Sequence, residues 1–126
     1  EEKPEKMKYF LDTYALIEIA EGNPEYEQYL EVDSLTLKDN LAELFYFLLK
    51  KYDEKTADFF LDKFTKLAVE LPIEIIAKAM IFKHQHAKTR FSYIDCFGYS
   101  YARENRMLFL TGDRAFQGME NIKIVR

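Results

Sequence analysis

The chain has 126 residues, of which 48% are hydrophobic and 32% charged, and a formal net charge of −4. This balance excludes disordered and fibrous classes of protein, and the length predicts one domain with a core of its own. No apolar run approaches the ~20 residues that cross a bilayer, and the charged first residues lead into no secretory signal, so we expect a cytoplasmic protein. The single cysteine, Cys96, excludes an intrachain disulfide and a zinc site built from several cysteines.

The composition along the chain gives no sign of a second domain. We expect residues 1–6 to be a disordered tail or the remnant of a tag, and residues 7–126 to form a single domain, because four Gly and three Pro leave no flexible linker. Charge is divided unevenly between the two halves of the chain. Residues 1–63 carry 8 Lys/Arg and 16 Asp/Glu, whereas residues 64–126 carry 10 Lys/Arg and 6 Asp/Glu. The second half can therefore present a basic surface in spite of the acidic total.

Strand and helix patterns alternate from the start of this domain. Short apolar runs predict strands at 8–11, 32–37, 67–71, 107–110 and 122–125. Helical periodicity and turn residues predict helices at 14–20, 24–30, 39–52, 54–64, from 72 or 73 onward, and 92–104, with a turn at 115–119. The helix from 72 or 73 is predicted to bury Ile76, Ala79, Met80 and Phe82. The alternation predicts a three-layer α/β domain with a parallel sheet of about five strands, in which function gathers at the carboxyl ends of the strands.

Four acidic residues stand out because their neighbours in the sequence are apolar. Asp12 and Asp113 follow predicted strands, Asp95 opens a helix, and Glu43 lies about one turn into a helix that follows a strand. All four can therefore converge at one edge of a parallel sheet. Clustered carboxylates repel each other unless a cation lies among them, and ligands that are all oxygen select Mg²⁺ or Mn²⁺. A site of this kind suits the hydrolysis of phosphodiester bonds.

Each of these acids also has a purely structural interpretation. Asp12 fits the N-cap of the helix that follows it, Asp95 stands three residues after Ser92 as in a capping box, and Asp113 can cap the turn after it. Glu43 is the hardest to explain in this way, because a carboxylate on an apolar helix face costs on the order of several kcal/mol unless it is paired or bound to a metal. Its structural alternative is a position at the border of the apolar face.

Four motifs in this order carry a resemblance to a known family: Phe10-Leu11-Asp12-Thr13, Leu41-Ala42-Glu43-Leu44, Tyr93-Ile94-Asp95-Cys96-Phe97 and Leu110-Thr111-Gly112-Asp113-Arg114. The pattern resembles the PIN-domain family, and in particular its VapC-type toxin ribonucleases. The resemblance implies strand order 3-2-1-4-5, a Mg²⁺- or Mn²⁺-dependent endoribonuclease, a homodimer, and neutralisation by a VapB-type antitoxin. It also implies the site: Asp12, Glu43, Asp95 and Asp113 as catalytic and metal-binding residues, supported by Thr13 and Thr111.

Two further interpretations remain open beside this one. The first is a catalytically inactive PIN-like module for RNA binding or assembly, favoured by the acidic total and by Tyr14, where many members of the family have Asn. The second is a phosphoryl-transfer enzyme of another doubly wound fold, which Tyr14 disfavours because the Asp-x-Asp motif of haloacid-dehalogenase-like phosphatases would need Asp there. Among the cations, Arg103 and Arg114 are predicted to contact RNA because they flank proposed acids.

Overall fold

The computed structural model describes residues 7–30 and 32–125, so the prediction of a tail at residues 1–6 lies outside the described residues. Five strands pair in parallel in one sheet. They are β1 (Tyr9–Leu11), β2 (Ser34–Leu37), β3 (Ala68–Val69), β4 (Leu108–Thr111) and β5 (Ile122–Ile124). Their order across the sheet, β3-β2-β1-β4-β5, confirms the order that the resemblance implied.

Helices connect the strands. They are α1 (Thr13–Ala20), α2 (Pro24–Glu27), α3 (Lys38–Lys51), α4 (Glu54–Phe64), α5 (Ile73–Gln85) and α6 (Tyr93–Glu104). Short 3₁₀ segments lie at Gln28–Leu30, Thr65–Leu67, Ala87–Thr89 and Arg114–Phe116. The last of these overlaps the predicted turn at 115–119. Because α1 and α3 directly follow parallel strands and α6 leads directly into the start of β4, the first turns of these three helices lie at the carboxyl edge of the sheet.

Alternation along the central strands divides the core into two layers. Leu11 and Leu110 face one side of the sheet and pack with residues of α1 and α3, whereas Phe10 and Phe109 face the other side and pack with α5 and α6. All four side chains are fully buried, and burial of a side chain of this size contributes about 1.5–3 kcal/mol. The prediction of a three-layer domain is confirmed.

Helix α6 lies against the sheet with no space between them. A Cβ atom added at Gly98 would lie 2.8 Å from a ring carbon of Phe10 on β1, so the helix approaches this closely only because residue 98 has no side chain. Asp95 lies one turn before Gly98 on the same face of α6. The close contact therefore holds Asp95 near the end of β1.

The buried face of α5 was predicted with one error. Ala79 and Phe82 are buried as expected, but Ile76 is 39% exposed and does not belong to the core. The helix carries apolar residues around most of its circumference, and Ile73 and Ile81 are 78% and 58% exposed. Periodicity therefore could not identify which apolar face packs on the sheet. Among the described residues, no helix is long and apolar enough to cross a membrane.

Candidate active site

The four acidic residues lie around the carboxyl edge of the sheet. Asp12 directly follows β1, Asp113 follows β4, Glu43 is in the second turn of α3 after β2, and Asp95 is in the first turn of α6. Their charges act on one another: Asp95 and Asp113 raise the pKa of Asp12, Asp95 raises that of Glu43, and Asp113 raises that of Asp95. The fold thus brings all four into one electrostatically coupled group, called here the acidic cluster.

Asp12 is the most deeply buried member, with 3% of its surface exposed. It is the N-cap of α1, and its Oδ1 accepts a hydrogen bond from the Ala15 amide at 2.8 Å. Burial raises the pKa of Asp12 from 3.8 to about 8, and the charges of Asp95 and Asp113 add to this effect, while the Thr111 hydroxyl and the Ala15 amide oppose it. Without a cation nearby, Asp12 is therefore largely protonated at neutral pH.

Glu43 is held by a short chain of polar side chains. The amide nitrogen of Asn40 donates to Thr13 Oγ1 at 3.1 Å, and the Thr13 hydroxyl donates to Glu43 Oε1 at 2.5 Å. Burial is the main cause that raises the pKa of Glu43, with a further contribution from Asp95, and the Thr13 hydrogen bond lowers it. The Asn40 side chain is buried, and its Oδ1 has no hydrogen-bond partner among the described residues.

Asp95 closes the capping box that its spacing from Ser92 predicted. Its Oδ2 accepts from the Ser92 amide and its own amide donates to Ser92 Oγ, both at 3.0 Å. Burial raises the pKa of Asp95, the Ser92 hydrogen bonds lower it, and the positive charge of Lys83 also lowers it. Lys83 donates to the Phe91 carbonyl at 2.5 Å, so this cation is fixed to the loop that leads into α6.

Asp113 is held by its own loop. Its amide donates to Thr111 Oγ1 at 3.0 Å, and its Oδ1 accepts from the Ala115 amide at 2.9 Å. The preceding residue, Gly112, lies beneath the ring of Tyr14, and a Cβ atom there would lie 2.1 Å from a Tyr14 ring carbon. Tyr14 therefore covers the loop that carries Asp113.

The donor chemistry of the acidic cluster fits a hard divalent cation. Among residues 7–30 and 32–125, no three His, Cys, Asp or Glu side chains form a ready-made metal site. Mg²⁺, however, usually keeps several waters and binds through one or two carboxylates, and the local hydrogen bonds of each acid engage one carboxylate oxygen. Direct contacts to one or two of these carboxylates, with water-mediated contacts to the others, are compatible with this arrangement.

The other residues singled out from the sequence differ in their distance from the cluster. Arg103 is in the last turn of α6, two turns beyond Asp95, and pairs with Glu120 at 2.5 Å. Arg114 is exposed directly after Asp113. The RNA contacts predicted for both arginines stay predictions. The Cys96 thiol is fully buried, and burial raises its pKa to about 11, as in a structural cysteine.

Sequence reasoning missed three residues that belong to the surroundings of the cluster. Asn40 was hidden within a helix pattern, although a polar residue on the buried face one turn before Glu43 follows the same logic that identified Glu43 itself. The sequence around Lys83 contains no signal for its contact with the loop before α6. Lys50 lies two turns beyond Glu43 on the same side of α3 and lines a cavity of about 500 Å³ that reaches Thr13 and Glu43.

Comparisons with known proteins agree with this geometry. The model of the PIN domain family matches residues 9–121. VapC20 of Mycobacterium tuberculosis, described as a toxin that cleaves the sarcin-ricin loop, superposes with a TM-score of 0.78 at 12% identity, over 94% of this chain and 99% of that chain. VapBC2 of Rickettsia felis, solved with a DNA fragment from its promoter, superposes with a TM-score of 0.75 at 18% identity. The match covers 95% of this chain and 100% of that chain.

A toxin–antitoxin complex from Klebsiella pneumoniae gives a TM-score of 0.71 at 18% identity, over 91% of this chain and 95% of that chain. No curated protein sequence matches the chain. At these identities the solved structures show a shared fold, whereas the family model covers nearly the whole length of the sequence. The chain therefore belongs to the PIN domain family.

Proposed function

We propose that this protein is a Mg²⁺- or Mn²⁺-dependent endoribonuclease and the toxin of a toxin–antitoxin pair, acting in the cytoplasm. The observation that carries the proposal is the coupling of Asp12, Glu43, Asp95 and Asp113 at the carboxyl edge of the sheet, with the pKa of Asp12 raised to about 8. A group of carboxylates that is buried at Asp12 and partly buried at Glu43, Asp95 and Asp113 is costly in the absence of a cation. A divalent cation held there would neutralise phosphate charge and activate a water molecule.

Different residues of the cluster would have different roles in binding the cation and the attacking water. Asp12, Asp95 and Asp113 would hold the metal directly or through water, and Glu43 would complete the shell or orient the attacking water. When bound, the metal supplies a Lewis acid that neutralises phosphate charge and lowers the pKa of a water molecule. The Thr13 hydroxyl fixes the orientation of Glu43, and Thr111 holds the Asp113 loop beside Asp12.

Nuclease assays with a matched pair of variants test this proposal. Asp12 and Asp53 are both N-caps that accept a hydrogen bond from the amide three residues on, but Asp53 is exposed at the start of α4. Asp12→Asn should abolish cleavage of single-stranded RNA with Mn²⁺ or Mg²⁺, whereas Asp53→Asn should leave it unchanged. Wild-type protein that neither cleaves RNA nor gains thermal stability from Mn²⁺ would instead support an inactive PIN-like module. The lack of three preformed metal ligands among residues 7–30 and 32–125 favours that alternative.

The same proposal includes two protein partners. A VapB-type antitoxin would insert a basic side chain among the four acids, because a cation there replaces the charge of the metal. A second copy of this chain would pack on the exposed apolar residues of α5, where Ile73, Ile76 and Ile81 follow the i, i+3, i+8 spacing of one helix face. The solved toxin–antitoxin complexes of similar fold support the first of these partners.

A further inference from the structure

The cavity beside Glu43 combines an exposed aromatic ring with a positive charge. It has a volume of about 500 Å³ and lies between α1 and α3, with Thr13 and Glu43 at one end and Tyr46, Phe47 and Lys50 at the other. These α3 residues follow the i, i+3, i+4, i+7 spacing of a single helix face. The cavity is therefore continuous with the acidic cluster and extends from it along the helix.

Tyr46 is 62% exposed and lies one turn beyond Glu43 on α3. Lys50 Nζ lies 5.1 Å from the centroid of the Tyr46 ring. The ring and the ammonium group thus form one unit that offers a flat π surface and a positive charge together.

The two lysines of the cavity differ in their available charge. Lys51 Nζ lies 2.5 Å from Glu21 Oε2, so its charge is neutralised within the protein. Lys50 has no carboxylate within 4.0 Å in the described part of the chain. Lys50 lies about 10 Å along the helix axis from Glu43, which is far enough to meet a phosphate other than one bound at the acidic cluster.

We propose that this cavity is a nucleotide subsite, in which Tyr46 stacks on a base of single-stranded RNA and Lys50 binds the adjoining phosphate. Stacking on an exposed aromatic ring accepts any base, and an unpaired lysine contributes a phosphate contact, which is how proteins bind single strands next to a reaction centre. The assignment rests on the proposed ribonuclease function for its substrate class. It goes further in naming the groups that hold the strand beside the reacting phosphate.

Because the chain contains no tryptophan, Tyr46→Trp introduces a single indole into the subsite. Phe59→Trp is the matched control, since Phe59 is 61% exposed on α4 and does not line the cavity. A 12-nucleotide single-stranded RNA of mixed sequence should quench the indole at position 46 and leave the one at 59 unchanged. Quenching at 46 by a poly-glutamate peptide but not by RNA would overturn the assignment in favour of an acidic protein partner.

Steady-state kinetics with Mn²⁺ give a second readout. Tyr46→Ala should raise KM for RNA about tenfold with kcat within twofold, whereas Phe59→Ala should match wild type. Lys50→Gln should lower the slope of log affinity against log salt by about 0.7, the value of one contact to a single strand. Lys63→Gln, which removes a lysine near the Phe60 ring on α4, serves as its control.

These outcomes separate the subsite from the function on which it rests. Wild-type cleavage with no quenching at position 46 and unchanged KM in Tyr46→Ala would overturn the subsite alone. RNA that quenches the indole at 46 but is not cleaved by wild-type protein would overturn the enzymatic function and support the subsite. An equal effect of RNA on the indoles at 46 and 59 would show non-specific binding and would also overturn the subsite.

Discussion

Replacing Asp12 by Asn should stabilise the metal-free protein at pH 8 and leave its stability in acid unchanged. Burial raises the pKa of Asp12 from 3.8 to about 8 in the folded protein. Below about pH 4 the carboxyl group is protonated in both the folded and the unfolded chain, so its titration does not change stability there. Between these two pKa values the unfolded chain has released its proton and the folded protein has kept it. The free energy of unfolding therefore falls by about 1.4 kcal/mol for each pH unit in this window.

The size of the effect follows from the width of that window. At pH 7, about three units above 3.8, the loss is on the order of 4 kcal/mol, and above pH 8, where both states are ionised, it stays constant at about 5–6 kcal/mol. Asn carries no charge, keeps an oxygen that can accept from the Ala15 amide, and is as good an N-cap as Asp. The variant should therefore avoid this loss without losing the cap of α1.

Urea denaturation in EDTA at pH 4, 6 and 8 measures the difference in free energy of unfolding between the Asp12→Asn variant and wild type. Asp53→Asn should behave in the opposite way, because hydrogen bonds from Thr56 lower the pKa of Asp53 in the folded protein. Asp53 thus contributes stability above its unfolded pKa, and this contribution disappears in acid, so its Asn variant should be less stable at neutral pH only. An Asp12→Asn variant that is less stable than wild type at pH 8, or that differs by the same amount at every pH, would refute the reasoning.

Three further variants test other parts of the molecule. Glu43→Gln should stabilise the apo protein by about 1 kcal/mol, because it removes charge repulsion. It should also reduce the thermal shift caused by Mn²⁺. A variant that is less stable than wild type in the apo form, and that shows the same Mn²⁺ shift as wild type, would exclude Glu43 from the site. Thr13→Val removes the hydroxyl that links Asn40 to Glu43, so it should cost about 1–2 kcal/mol in urea denaturation and lower kcat for RNA. Ile81→Glu should convert a dimer into a monomer in sedimentation experiments, and a wild-type protein that sediments at 15 kDa at micromolar concentration would contradict the dimer.

Local patterns predicted the sheet and most helix boundaries, because short apolar runs and turn residues are sufficient signals for elements buried on both sides. They failed where the surroundings decide the structure. Strand β3 is two residues long instead of the predicted five, since 3₁₀ geometry continues to Leu67 and only two residues pair with β2 at the sheet edge. The exposure of Ile76 depends on which side of an apolar helix meets the sheet, and local periodicity does not contain that information.

The sequence indicated the acidic residues of the candidate site but not the other residues around them. The acids could be found because a carboxylate between apolar neighbours is costly, whereas Tyr46 and Lys50 look like ordinary surface residues in the sequence. Their relation to Glu43 depends on the packing of α1 against α3, which opens the cavity. Arg103 was placed near the acids by its distance along the chain from Asp95, but the rise of the helix carries it to the opposite end of α6.

The structural and functional interpretations of the acids do not exclude each other. In a parallel α/β domain a helix begins where a strand ends, so a residue that caps the helix also lies at the edge of the sheet where ligands bind. Asp12, Asp95 and Asp113 each hold a backbone amide in this way, and these hydrogen bonds limit how far the carboxylates can move apart. Their mutual repulsion must then be relieved in place, either by a proton on Asp12 or by a cation among them. The capping bonds that support the fold thus keep the cluster assembled, and under the proposed function a proton and a divalent cation would compete for the same group.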